Sequence, residues 1–224
     1  MKNINDILFV IQARLNSQRV SKKMTKDFNG TNLFSIAIDK VLQSKIIPKN
    51  NFYVSVCEND LMDIAKSKDV NIYERSYESA NNDNSLQKIY EWHDQLPFKY
   101  VVKINGCSPL LKPETIDGFV KQFIEQEEDN LFGVIETKDY YWNKDGKLVT
   151  PWPEDQTIMN TKAVEVTYKA AHTLYASRMD LIKRNMFMGD FQKEGGIKLY
   201  PMDELECFDI DYEWQFKLGE KLWI

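Results

Sequence analysis

Histidine is scarce in this chain of 224 residues, represented by His93 and His172 alone, and that scarcity excludes a histidine-rich metal centre. Cysteine is nearly as rare. Cys57, Cys107 and Cys207 are odd in number and widely spaced, which points to free thiols in a reducing compartment and away from a disulfide framework. There is no excess of positive charge: 29 basic residues stand against 34 acidic ones, for a formal net charge of −5. Such a balance lacks the basic surface that non-specific nucleic-acid binding requires. No apolar run approaches the ~20 residues of a membrane span. The opening Met1-Lys2-Asn3-Ile4-Asn5-Asp6 also lacks the long apolar core of a signal peptide. The expectation is a cytoplasmic protein that binds neither nucleic acid nor membrane, with no internal repeat and no low-complexity segment.

What is present reads as an ordinary globular composition, 43% apolar and 28% charged, in a chain long enough for a full core. Ile7-Leu8-Phe9-Val10-Ile11 is continuously apolar and rich in β-branched residues, the pattern of a strand buried on both faces. It breaks off into a loop carrying Arg14, Arg19, Lys22 and Lys23. In an open α/β sheet ligands gather beyond the carboxyl ends of the strands, so this loop is either a place to hold a phosphate chain or a solvated basic turn. A helix over Leu33 to Leu42 follows, then a strand over Phe52 to Cys57, a short helix over Asp60 to Lys68 and a strand over Val70 to Tyr73. That alternation is the signature of a parallel sheet with helices on its faces.

Arg75 to Asn84 is polar and aperiodic and reads as an exposed loop, with Asp83 or Ser85 capping a helix over Leu86 to Leu96. Tyr100-Val101-Val102-Lys103-Ile104 is a further strand, ending in the small-residue turn Asn105-Gly106-Cys107-Ser108-Pro109, and Pro113 opens a helix running to Glu125. From Gly133 the rhythm is lost. Tyr140-Tyr141-Trp142, Asn143-Lys144-Asp145-Gly146 and Pro151-Trp152-Pro153 place an excursion of hairpin strands and exposed aromatics at about 134–175 of a single domain spanning 1–224. That excursion is a protein interface or a loop packed on its own domain. Beyond it lie a strand over Ala171 to Ala176, a short cationic helix over Arg178 to Arg184, and a final amphipathic helix over Glu213 to Leu222. His172 reads as a hydrogen-bonded packing residue and His93 as structural. Cys107 has no identifiable base partner and is not a nucleophile.

Asp209-Ile210-Asp211 is the most informative triplet of the second half. On a strand, residues two apart share a face, so the two carboxylates would project together while Phe208 and Ile210 turn to the core. Paired carboxylates repel, and a hard divalent cation removes that cost. Mg²⁺ suits a site of one or two carboxylates that has no histidine. A strand end whose acids simply face water accounts for the same triplet.

Ile11-Gln12-Ala13-Arg14 with Ser17, Arg19 and Lys23, the turn Lys103 to Leu110, and Phe208-Asp209-Ile210-Asp211 together resemble the cytidylyltransferases that make CMP-activated sugar acids, such as the CMP-sialic acid and CMP-Kdo synthetases. The similarity spans most of the chain and is weakest from Gly133 to Lys198. It implies a nucleotide-diphosphosugar-transferase fold, a three-layer α/β/α sandwich with a mainly parallel, Rossmann-like sheet and a small excursion for dimerisation. It also implies a homodimer that transfers CMP from CTP to a small acidic acceptor and releases pyrophosphate. In this reading Arg14 and Lys23, assisted by Arg19, neutralise the triphosphate, and Asp209 and Asp211 hold Mg²⁺. The base lies over the backbone of Ala13 to Leu15, near Arg75, Asn84 and Ser85, with Asn105 in the neighbouring wall. The chain departs from the family pattern at Ser21 (proline in the family), Asn16 (commonly glycine), Cys107 (aspartate in some branches) and Leu111 (arginine in the sialic-acid branch). Those departures leave open an acceptor that is a non-sugar acid, phosphate or phosphonate, and also a non-catalytic nucleotide-binding relative. A glycosyltransferase of similar architecture would carry its Asp-x-Asp after a central strand. For an acceptor carboxylate, Lys162, Arg178, Lys183 and Arg184 are the candidate partners.

Overall fold

The computed structural model describes residues 1–82 and 84–223; Asp83, one of the two expected caps, lies outside them. Seven strands form one sheet in the order β3-β2-β1-β4-β6-β5-β7: β1 Ile7–Gln12, β2 Phe52–Val56, β3 Asn71–Glu74, β4 Tyr100–Ile104, β5 Asn130–Thr137, β6 Thr167–Arg178 and β7 Leu199–Met202. β1 pairs in parallel with both β2 and β4, and β6 runs antiparallel to β4 and β5. The sheet is therefore mainly parallel with one reversed strand. Strand order grows outward in both directions from the β1/β4 pair, which makes the carboxyl ends of β1 and β4 the topological switch point where open α/β sheets place their ligands.

β1 is fully buried from Ile7 to Ile11, and its alternation feeds two cores. Ile7, Phe9 and Ile11 join the larger core, together with apolar residues of helices α1 Leu33–Leu42, α2 Asn59–Ser67, α5 Pro113–Glu125 and α6 Glu213–Leu222. Leu8 and Val10 join the smaller one with Trp92, Met179 and Ile182, under the short helices α3 Tyr77–Asn81 and α4 Leu86–Ile89 and 3₁₀ turns at Glu91–His93 and Met179–Arg184. The result is the expected three-layer sandwich with an asymmetric second layer. Local rules account for the helix starts. Asn32 caps α1 by accepting from Ser35 N at 2.8 Å, and Pro113 occupies the first turn of α5.

Several local expectations change in the fold. The helix expected over Leu86 to Leu96 ends at Ile89, because Tyr90 (φ −112°, ψ 45°) leaves helical geometry and lets Trp92 drop into the core. Arg75 to Asn84 carries the short helix α3, started by Ser76 capping Ser79 N. Asp209-Ile210-Asp211 is not on a strand: it is irregular chain outside the sheet, although Ile210 is fully buried and Ile210 N donates to Cys107 O. The stretch at about 134–175 contributes the end of β5 and most of β6 to the sheet, with irregular chain from 138 to 166 between them. Within that irregular chain Trp142, Trp152, Ile158 and Met159 are exposed.

The chain ends are fastened to each other beside the switch point. Phe28 meets Phe216 edge-on at 5.2 Å and Trp223 at 5.9 Å. Lys26 pairs with Glu213 and lies over the Phe216 ring. This packing of α6 against the end of the β1 loop brings two segments distant in sequence into one site.

Candidate functional site

The loop leaving β1 and the turn leaving β4 form the walls of a cleft of about 270 Å³, lined by Gln12, Ala13, Arg14, Ser17, Arg19, Lys23, Cys107 and Asp211 among others. A second cavity of about 230 Å³ shares Gln12, Ala13 and Arg14 with it and continues to Arg75, Ala80, Asn82, Tyr90 and Lys103.

Lys23 is 9% exposed. Its ammonium donates to Ile210 O and stands 3.4 Å from Asp211 Oδ1. Burial would lower its pKa, but Cys107, Asp209 and Asp211 together outweigh that and the net direction is upward, so the side chain stays a cation across the physiological range. Arg19 reaches the same carboxylate, Nη2 to Asp211 Oδ1 at 2.7 Å, with its guanidinium 5.2 Å from the Tyr212 ring. This pair is open to solvent, the kind of ion pair that exchanges partners readily. Lys22, in left-handed conformation (φ 49°), is exposed. Arg14 spans both cavities and donates from Nη1 to Ala80 O at 2.8 Å.

Asp209 is the tense member of the carboxylate pair. Burial first, and repulsion from Asp211 second, push its pKa above the ordinary value against opposing pulls from Lys23, Asn105 and His172. Its Oδ1 is buried with no hydrogen-bond partner among the described residues. A buried anionic oxygen without a donor is an open position for a cation. No cluster of three or more His, Cys, Asp or Glu side chains able to hold a metal occurs among the described residues. A two-carboxylate site therefore suits a metal that completes its shell with water and phosphate, as Mg²⁺ does.

Asn105 ties the β4 turn to its neighbours. Its Nδ2 donates to His172 O and its backbone N to Thr173 O, both at 2.9 Å, while its Oδ1 accepts from Cys107 N at 3.0 Å. His172 keeps part of the expected packing role, its ring meeting Phe132 edge-on at 6.3 Å, but it is exposed, with φ 55°, at an irregularity where β5 and β6 lose register between Phe132 and Val134. Gly106 lies close under Met24: a Cβ there would stand 2.8 Å from Met24 Cε and would push that flexible side-chain end aside.

Ala13 and Leu15 are positioned by their backbones, Ala13 O accepting from Arg75 Nη2 at 2.7 Å and Leu15 N donating to Glu58 Oε1 at 2.8 Å. Arg75 is 4% exposed, and burial lowers its pKa. Asn84 and Ser85 do not line either cavity. Ser85 caps α4 through Lys88 N, and Asn84 N donates to Asn82 Oδ1. Asn82, Tyr90 and Gln12 take the lining positions instead. Gln12 is oriented by accepting from Trp92 Nε1 and donating to Ile89 O. Its only sequence signal was its place at the end of β1.

Behind the turn, Lys40 on α1 is buried and donates to Ser108 O at 2.8 Å and to Pro109 O. Burial pulls its pKa down to about 7, with Glu206 opposing. Because the folded value lies below the unfolded one, the unfolded state binds the extra proton between them and stability from this group rises with pH above about 7. Comparing thermal midpoints at pH 7 and pH 9, the wild type is expected to gain up to about 1.4 kcal/mol per pH unit that Lys40→Met does not gain. Equal pH slopes in the two proteins would contradict the assignment.

A family model described as Cytidylyltransferase matches residues 8–222. The chain is 23% identical over 131 residues to the spore coat polysaccharide biosynthesis protein SpsF of Bacillus subtilis (strain 168), covering 58% of this chain and only 54% of that protein. It is 23% identical over 233 residues to the post-translational flagellin modification protein B of Campylobacter coli, covering 98% and 95%. Among solved structures, a CMP:2-keto-3-deoxy-manno-octonic acid synthetase complexed with CTP superposes with a TM-score of 0.69 at 12% identity, covering 97% of this chain and 98% of that one. The 4-diphosphocytidyl-2C-methyl-D-erythritol synthase of Anaerococcus prevotii DSM 20548 gives 0.67 at 14% identity, covering 98% and 97%.

Proposed function

The chain belongs to the cytidylyltransferase family, and from that premise we propose that it transfers CMP from CTP to a hydroxyl or acid group of a sugar-acid-like acceptor and releases pyrophosphate. The observation that carries this reading is the meeting of Arg14, Arg19 and Lys23 with the Asp211 carboxylate in one cleft at the β1/β4 switch point, with Asp209 near enough to Lys23 to help hold it as a cation. Attack by an acceptor oxygen on the α-phosphorus forms one P–O bond and breaks the bond to the β-phosphate. Such transfer depends on positioning and charge neutralisation more than on a covalent nucleophile. Lys23 and Arg14 neutralise the triphosphate. Arg19 leaves Asp211 for the phosphates as they enter. The pyrimidine lies against the Ala13 to Leu15 backbone, with Arg75 holding the Ala13 carbonyl in place and Asn84 and Ser85 on the segment that follows the Asn82 wall.

Asp209 and Asp211 would hold Mg²⁺, for which the orphaned Asp209 oxygen is the structural support. When bound, the ion supplies Lewis-acid stabilisation of phosphate charge. The homodimer belongs to the same proposal, supported by the exposed Trp142, Trp152, Ile158 and Met159 of the 138–166 segment. So does a cytoplasmic place in the biosynthesis of a CMP-sugar for a surface polysaccharide or glycan, in line with the names of the two relatives. No helix among the described residues is long and apolar enough to cross a membrane. A non-sugar acceptor is the second reading, favoured by the fold's likeness to the methylerythritol-linked synthase and by Leu111, which is buried and apolar.

Pyrophosphate release measured with each of the four NTPs against a panel of sugar acids tests the proposal. CTP is expected to exceed the other nucleotides by at least ~100-fold, the scale on which a site built around a base's polar edge rejects the wrong one. Absence of release with CTP and every acceptor, together with absence of CTP binding by calorimetry, would sink it.

A further inference from the structure

The sequence nominates Lys162, Arg178, Lys183 and Arg184 as partners for an acceptor anion, and the fold removes Arg178 from contention. Arg178 is opposite Tyr100, at the amino end of β4 and so at the far end of the sheet from the site, and it is engaged by Asp129 and Asp180. Lys162 lies in the irregular segment before β6, and Lys183 and Arg184 close the 3₁₀ turn after it. None of these lines the two cavities of the site.

One cation does line the site and has no established use. Lys103 sits on β4, on the face that carries Val101 into the smaller core. It lines the inner cavity beside Arg14 and Tyr90 and also an adjoining cavity of about 430 Å³ walled by Tyr90, Tyr175, Met186, Phe187 and Met188. Its ammonium lies 4.6 Å from the centre of the Tyr175 ring. No carboxylate pairs with it and no hydrogen bond engages it among the described residues. Burial pushes the Tyr175 hydroxyl upward, so that group stays protonated and cannot neutralise the lysine. A cation–π contact leaves the ammonium's three donors free. An unneutralised cation on a half-buried strand, at the doorway between a nucleotide cleft and an apolar cavity, is placed to receive an anion from the second ligand.

We propose that Lys103 is the specificity-determining residue for the acceptor: it binds the acceptor's single carboxylate at the junction of the two cavities, while the acceptor's less polar face lies against Tyr90, Tyr175 and Phe187. One cation complements a monoanion. A dianionic phosphate would bring a second charge that the 430 Å³ cavity does not answer, since its other charged lining residue among the described residues is Asp190, while of the inner cavity's cations Arg14 is given to the triphosphate and Arg75 holds Ala13 O. This inference rests on the cytidylyltransferase reading and is tested separately from it.

The assay uses CTP with eight- and nine-carbon 2-keto-3-deoxy sugar acids, each as the free acid and as its methyl ester, and a hexose 1-phosphate as the phosphate probe. With the wild type, the free acid is expected to exceed its ester by at least ~10-fold in kcat/KM. Lys103→Met should raise the acceptor KM by ~10-fold or more and abolish the acid-over-ester preference, with CTP binding by calorimetry unchanged. Lys103→Arg should restore much of that preference, and Lys103→Gln serves if the methionine variant does not fold. Preference for the hexose phosphate, an unchanged acid-over-ester ratio in a folded variant, or weakened CTP binding in place of weakened acceptor binding would each overturn the proposal. Failure of the wild type to bind CTP at all would instead fall on the cytidylyltransferase reading.

Discussion

Replacing both carboxylates, Asp209→Asn with Asp211→Asn, is expected to lower CMP transfer by ~10³-fold or more while leaving the protein folded. The two effects have opposite causes. Asp209 is a buried anion with a raised pKa, pressed by Asp211 and left with an unpartnered oxygen. A folded carboxylate whose pKa lies above its unfolded value binds protons more readily folded than unfolded. Stability from that group is therefore present at low pH and falls as pH rises through the interval between the two values. Asp209→Asn alone removes the repulsion at neutral pH, so its thermal midpoint should hold or rise; the second asparagine takes from buried Lys23 the carboxylate that faces it, so the double variant's midpoint should fall below that of Asp209→Asn. The transfer reaction loses the groups that gather positive charge around the phosphates, a contribution of ~10²–10³-fold for a single well-placed electrostatic group. The raised Asp209 value also sets the acid limb: kcat/KM of the free enzyme should begin to fall at a higher pH than an ordinary aspartate would give. A second readout is independent of turnover. Mg²⁺ with CTP at ~100 times their Kd should stabilise the wild type by about 2.7 kcal/mol, and the double variant by much less. Transfer within tenfold of wild type in the double variant would refute the carboxylate assignment.

Lys23→Met is expected to reduce kcat/KM for CTP by ~10²–10³-fold, equivalent to about 2.7–4 kcal/mol of transition-state stabilisation. Lys23 is almost enclosed, its ammonium donates to Ile210 O, and it faces Asp211. The same cation thus fixes the peptide between the two carboxylates and lines the cleft where the phosphates would lie. Methionine fills the volume but leaves the Ile210 carbonyl unpaired and the phosphate charge unanswered. Arg19→Met should cost far less, because Arg19 is half exposed and shares Asp211 with Lys23. The upward direction at Lys23 further means that no alkaline limb near neutral pH comes from its deprotonation. Steady-state kinetics with CTP varied at saturating acceptor, alongside thermal unfolding, separates these outcomes; equal effects from the two substitutions would contradict the ranking.

Where a segment's structure is decided within the segment, it was legible in the sequence. Ile7 to Ile11 reads as a doubly buried strand and is one, α1 spans Leu33–Leu42 and α6 spans Glu213–Leu222 as their apolar periodicity predicts, and Pro113 starts α5. The helix over Leu86 to Leu96 failed because Trp92 is worth more in the core than in a continuous helix, a gain no local propensity contains. β5 was hidden for a similar reason. Asn130–Thr137 has an ordinary apolar run, and only its pairing with β6 and β7 makes it a sheet strand. Lys103 was in plain view as the one charged residue of an apolar strand, but its meaning required knowing which cavity that face of β4 adjoins.

The cationic loop and the Asp209-Ile210-Asp211 triplet were each readable from sequence, because charge and spacing are local properties. Their proximity was not. It depends on Phe28 packing against Phe216 and Trp223, on Ile210 N reaching Cys107 O, and on Lys23 reaching Ile210 O. The sequence by itself determined the class of sheet, the cations and the carboxylates. Only the tertiary structure decided that the first strand's loop and the last helix's leader share one cleft, that His172 is exposed at a break in the β5–β6 register, and that Lys103 stands at the cleft's inner door. Burial and strand register act between residues far apart in the chain, and no pattern within a single stretch records them.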